Sequence, residues 1–187
     1  MAMTTLDAKT ALILIDLQNG IVAYPTLHPI GEVVERAAAL ADAFRSHGLP
    51  VVLVSAAGRP PGRTEQVRSR EEPAPESTDL LPDLNRQPED HAVTKRTPGA
   101  FTNTGLEAHL RESGITQVVI AGVATSNGVE ATARHAYELG FHVTLAIDAM
   151  TDLSADAHIT GITRIFPKLG ETGMTQEIVD FLKKRSG

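Results

Sequence analysis

The sequence predicts an α/β fold, a doubly wound parallel sheet of six strands with helices on both faces. Three observations carry that expectation. Short apolar runs alternate with helix-length amphipathic ones, as parallel strands and their crossover connections must. The short runs are apolar throughout, the pattern of strands covered on both sides. A chain of 187 residues, 42% hydrophobic and 21% charged, can bury one core of ordinary size.

The elements follow in order. ALILID (11–16) reads as the first strand, ending in an acid. In EVVERAAALADAFRSHGLP, Val33, Ala37, Leu40, Ala41 and Phe44 make one helical stripe, which Gly48 and Pro50 stop. VVLVS (51–55) completes a strand–helix–strand unit. A short strand HAVTK (91–95), a helix near 103–113 and a strand QVVIAG (117–122) come next. Then a helix at about 127–139 ends at Gly140, followed by the strand HVTLAI (142–147) and a helix near 154–165. A short strand near 168–172 and the helix TQEIVDFLKK close the pattern, with strand one expected beside strand four. The whole chain, 1–187, reads as a single domain.

The stretch 57–90 breaks the alternation, holding six of the 11 prolines and five arginines. Most of it reads as a solvated loop, although one this long inside a compact domain usually has a job. GRPPGR (58–63) puts Arg59 and Arg63 just past a strand end.

A net charge of −6 argues against a nucleic-acid groove, which needs a basic face. With no cysteine, disulfides, thiolate metal sites and a Cys nucleophile are excluded. The start, MAMTTLDAKT, lacks the apolar core of a signal peptide, and no run approaches a membrane span. A cytoplasmic protein without membrane or nucleic-acid partners is the expectation.

Ligands of such sheets bind beyond the carboxyl ends of the strands. Asp16 ends strand one, Lys95 ends strand three, and the turn 123–128 follows strand four. Each also has an ordinary reading. Asp16 could cap a turn, Lys95 could lie on the surface, and TSNG could be a helix cap. Glu130 lies three residues after Asn127, the spacing for reaching back to a helix start.

Four segments are similar to the isochorismatase-like hydrolases, also called the cysteine hydrolase superfamily. They are LILIDLQNGIV, KRTPGAFTNTGLEAHLRESGI (Phe six residues after Lys95), VVIAGVATSNGVEATARHAYELGFHVTLAIDAMTD, and AH at 157–158. The likeness covers nearly the whole chain, least of all 57–90. It implies a Rossmann-like three-layer sandwich, a small-molecule substrate, no cofactor, and a homodimer or higher homo-oligomer. It also implies an Asp–Lys–Cys triad, whose Asp and Lys match Asp16 and Lys95. The cysteine position falls on Gly128. Gln18, Phe101, Val123, Ala124, Thr125 and Asn127 would face the substrate, and the Val123–Ala124 peptide would be cis.

The zinc ligands of the nicotinamidase branch are not matched. The corresponding stretch, SAAGRPPGR, has no histidine, and the seven histidines are scattered singly, so no metal is expected.

One branch of that family works without the cysteine, on a vinyl ether. Such a bond needs a positioned acid and a water, not a nucleophile. Asp16 would be the acid, and Lys95 would hold the water or a substrate oxygen. Gly128 would leave room and bare N–H groups at a helix start for a substrate carboxylate. Arg59, Arg63, Arg96 and His28 are candidates to meet an isochorismate-like dianion. Two alternatives stay open: an amide or ester hydrolase using Ser126 or water, and a binding protein without turnover. No carrier domain follows Gly187, so a fused carrier role is not expected.

Overall fold

The computed structural model describes residues 3–65 and 72–184. Arg68, Arg70 and the rest of 66–71, within the proline- and arginine-rich stretch, lie outside them.

Six strands form one sheet. They are β1 (Thr10–Ile15), β2 (Val51–Ala56), β3 (His91–Lys95), β4 (Gln117–Val123), β5 (His142–Thr151) and β6 (Glu171–Gly173). Their order is β3-β2-β1-β4-β5-β6 and every pairing is parallel. The chain winds outward from β1 to β3, then returns to place β4 on the other side of β1. The topological switch point therefore lies between β1 and β4, and ligands of such sheets bind at the strands' carboxyl ends there.

Alternate residues of β1 serve opposite layers. Ala11, Ile13 and Ile15 join Val118, Ile120, Leu106 and Ala133 on one face. Leu12 and Leu14 join Val33, Leu40, Phe44, Ile178 and Leu182 on the other. All six β1 residues are buried, which explains why the run shows no polar alternation. The helix α2 (Ile30–Ser46) buries the expected stripe plus Val34. Each fully buried Leu or Phe there is worth about 1.5–3 kcal/mol.

The remaining helices depart from the expected bounds for local reasons. A single turn, α1 (Asn19–Val22), follows β1. The helix α3 spans only Leu106–Glu112, because Asn103 and Gly105 are in left-handed conformations that a helix cannot include. The helix expected from 127 begins with a π-helical turn, Thr125–Val129, before α4 (Glu130–Glu138). The one expected near 154–165 is α5 (Ala155–Thr160), then a π-turn through Ile165 and a short 3₁₀ turn carrying Pro167. A proline cannot continue the i→i−4 ladder. The last helix, α6, spans Thr175–Lys183.

Two backbone features shape the end of β1. Gly122 pairs with Ile15 and has φ +117°, and a Cβ there would stand 2.1 Å from the Ile15 carbonyl oxygen. Only glycine tolerates that approach. Asp16 itself is left-handed (φ 52°), with its N–H donating to the Val54 oxygen at 3.0 Å. Asp is among the few residues that visit this region, at about 1–2 kcal/mol. Such strain marks functional positions. No helix among the described residues is long and apolar enough to cross a membrane.

Candidate active site

Asp16, Lys95 and Gly128 come from three strand ends and meet at the switch point. The Lys95 Nζ lies 2.9 Å from Asp16 Oδ2 and also donates to the Pro98 oxygen at 2.6 Å. Lys95 is only 1% exposed and Asp16 7%. A lysine so deeply buried needs acceptors for its N–H groups, and Asp16 Oδ2 and the Pro98 oxygen supply two. Burial pushes the Asp16 carboxyl up to about 6, against the opposing pull of the Lys95 charge and hydrogen bond. Its second oxygen, Oδ1, is buried and has no hydrogen-bond partner among the described residues.

Gly128 faces this pair. A Cβ at 128 would sit 3.1 Å from Lys95 Nζ, 3.2 Å from Asp16 Oδ2 and 2.9 Å from the Ile15 Cγ2 methyl. The expectation that glycine leaves open room needs correction here. The ion pair and the Ile15 methyl close over the position, so a side chain there must push these side-chain ends aside by a few tenths of an ångström.

The turn 123–128 is held mostly from outside itself. The Val123–Ala124 peptide is cis. The Ser126 N–H donates to Asp152 Oδ2 at 2.7 Å, while Asn127 and Val129 N–H groups both donate to the Ala124 oxygen. Those three donors are used within the protein and are not among bare N–H groups awaiting a carboxylate. Glu130 does not reach back either: it pairs with Arg134 at 2.7 Å. The capping role falls to Asp152, whose Oδ1 also accepts from Leu153 and Ser154.

The other expected substrate-facing residues differ in role. Gln18 uses both amide hydrogens on the Ala56 and Ser77 oxygens, at 3.0 Å each, and its Oε1 accepts from Ala56 N–H at 2.7 Å. It staples β2 to the segment around Leu80 and has no N–H left for a ligand. Phe101 is buried in the core, its ring 6.1 Å from Phe141 and 5.4 Å from His135. Val123 is buried, Thr125 is fully buried, Ala124 is half-buried, and Ser126 and Asn127 are exposed.

Among the candidate cations, Arg59 and Arg63 are exposed, and Arg96 pairs with Glu72 at 2.8 Å on the surface. His28 is different. It hydrogen-bonds Thr151 and meets the ring of His158 at 4.8 Å. Histidines scattered in sequence thus pair in space, although no group of three acidic, His or Cys side chains gathers at metal distance among the described residues. Asp152, Thr151 and His158 were beyond sequence reasoning as contacts. Their only signal was membership of the matched segments AMTD and AH.

Comparison with known proteins fits this arrangement. The family model for the isochorismatase domain matches residues 10–177. The chain belongs to the isochorismatase family. It is 38% identical over 192 residues to the isochorismatase family protein YecD of Escherichia coli O157:H7, covering 96% of this chain and 100% of that one. It is 32% identical over 140 residues to the streptothricin hydrolase of Streptomyces noursei, covering 74% of this chain and 48% of that one. An isochorismatase family protein from Burkholderia thailandensis superposes with a TM-score of 0.91 at 41% identity, over 96% of this chain and 98% of that one. This isochorismatase-family chain is a hydrolase.

Proposed function

We propose that this hydrolase acts on a small molecule without a side-chain nucleophile, by acid-catalysed cleavage of a vinyl ether in an isochorismate-like substrate. One observation carries the reading. Asp16 Oδ2 faces the Lys95 ammonium, which can only donate. A proton on this carboxyl therefore resides on Oδ1, the oxygen left without a partner. Buried unsatisfied polar atoms are rare and call for a reason. A proton held for a substrate is one.

In the step that follows, Oδ1–H protonates the terminal vinyl carbon and the ether carbon becomes an oxocarbenium ion. Water adds to that carbon, its lost proton returns to Asp16, and the hemiketal collapses to a ketone and an alcohol. An ammonium has three donors. Those meeting Asp16 and Pro98 leave a third for the water or a substrate oxygen. Ser126 is less suited as nucleophile, since no hydrogen bond joins its hydroxyl to a base among the described residues. The reading also includes a cytoplasmic location and a homodimer or higher oligomer, which light scattering on the purified protein would check.

The test is a screen of isochorismate against a panel of small amides, with product identification. Turnover of the vinyl ether alone supports the proposal, and turnover of amides alone overturns it. Tight binding without turnover would favour a binding protein.

The pH profile supplies a second check. A general acid works protonated, so kcat/KM should fall about tenfold per pH unit above a pKa of about 6. Lys95 lowers the Asp16 pKa, so Lys95→Met should move that alkaline limb to higher pH. A limb that stays in place or moves down would mean another group sets it.

A further inference from the structure

The turn carrying Gly128 is held on its far side by a pair of histidines that the proposed chemistry does not use. Thr125, inside the turn, is fully buried and donates its hydroxyl proton to the Thr151 oxygen at 3.1 Å. A hydroxyl has one proton; with that proton on the Thr151 oxygen, the 2.8 Å contact with His158 Nδ1 is an N–H donated by the histidine. This arrangement assigns Nδ1 as the protonated nitrogen of His158. Gly161, one turn further along, leaves its would-be Cβ 3.2 Å from Thr125 Cγ2, so the same segment presses on the turn twice.

His28 completes the arrangement. Its backbone N–H donates to Thr151 Oγ1 and its Nδ1 lies 3.1 Å from the same hydroxyl. The two imidazole rings meet edge to face at 4.8 Å. One threonine thus serves both histidines, through its carbonyl by way of Thr125 and through its hydroxyl directly.

We infer that His158, backed by His28, is a positioning residue: it fixes the Thr125 hydroxyl and so the turn that sets Gly128 against Asp16 and Lys95. The inference rests on the reading of Asp16 and Gly128 given above. The titratable groups facing His158 are His28, from the segment after α1, and Asp152, from the end of β5. Thr125 and Thr151 are neutral. Burial disfavours charge on His158, His28 disfavours it further, and Asp152 opposes both. While the rings stay in contact, a proton added to His158 is disfavoured. Forcing it on pushes the rings apart and shifts the Nδ1–H that positions Thr125. Activity should therefore also fall on the acid side, giving a bell whose acid limb belongs to His158 and whose alkaline limb belongs to Asp16.

The test uses the full chain with two substitutions. Asn places its amide N–H near the position of Nδ1, so His158→Asn keeps the donor but cannot titrate. It should retain kcat within about threefold and lose the acid limb, with the alkaline limb unchanged. His158→Leu removes the donor and should lower kcat at least tenfold with KM little changed. A thermal melt of both variants separates this from simple unfolding. An acid limb persisting in His158→Asn would overturn the assignment while leaving the Asp16 reading intact. Nitrogen-15 NMR of the histidine rings in the unliganded protein provides an arm that needs no substrate. It should find His158 protonated on Nδ1 at neutral pH, and a proton on Nε2 alone would overturn the inference.

Discussion

Asp16→Asn should lower turnover of a vinyl ether substrate by at least ~10²-fold, the low end for loss of a general acid. The substitution preserves size and a carbonyl acceptor for Lys95 Nζ, which lies 2.9 Å from Oδ2. What it removes is the transferable proton. Circular dichroism and a thermal melt should show the variant folded, so that the loss reads as chemistry. Turnover equal to the parent's would end the acid role. Gly128→Ser belongs in the same series and should lose activity, because its Cβ presses on Ile15 Cγ2 at 2.9 Å and into the ion pair. Gly128→Cys meets the same crowding. Yet it places sulfur beside Lys95 and Asp16, groups that stabilise and accept from a thiol. Slow hydrolysis of an activated ester, absent from the serine variant, is the expected gain.

The largest effect on stability should come from Gly122→Ala. A methyl there would stand 2.1 Å from the Ile15 carbonyl oxygen and 2.7 Å from the Ile15 nitrogen. Both are backbone atoms of the central strand, so no side-chain rotation relieves the clash. The φ of +117° adds its own strain. A destabilisation of about 4 kcal/mol or more is expected, lowering Tm by roughly 8–16 °C in a domain of this size. Gly114→Ala is the control. It too has positive φ (+70°), but nothing lies within 4 Å of its Cβ position. It should lose only about 1–2 kcal/mol from conformation. A Gly122→Ala protein melting within a few degrees of the parent would contradict the β1–β4 packing described here.

Much of this architecture was legible in the chain. The β1, β2 and β4 runs are apolar because both faces are covered, and that pattern needs no partner to be read. The α2 stripe was equally plain, since Val33, Ala37, Leu40, Ala41 and Phe44 recur with helical spacing and all are buried. Asp16, Lys95 and the 123–128 turn stood out at strand ends, the resemblance singled out Gly128, and their convergence follows from strand order. What stayed hidden was contact between residues far apart in sequence. Asp152 caps a turn 26 residues upstream, displacing the local roles expected of Asn127 and Glu130. Gln18 was expected to face the substrate from the family resemblance. Its amide is instead used on Ala56 and Ser77, and no local pattern announces that. The crowding at Gly128 was likewise invisible, because it depends on where the ends of Lys95 and Asp16 lie.

The proposed catalysis turns on a proton passing from Asp16 to carbon, and hydrolysis in D₂O measures that transfer directly. Isochorismate should be converted in buffered D₂O near pD 6, with the ketone product trapped at early times and examined by proton NMR and mass spectrometry. Protonation of the vinyl carbon predicts one solvent-derived deuteron in the new methyl group, formed faster by the parent than by Asp16→Asn. A product methyl formed without solvent deuterium would contradict the mechanism, as would equal rates of labelled product from the two proteins.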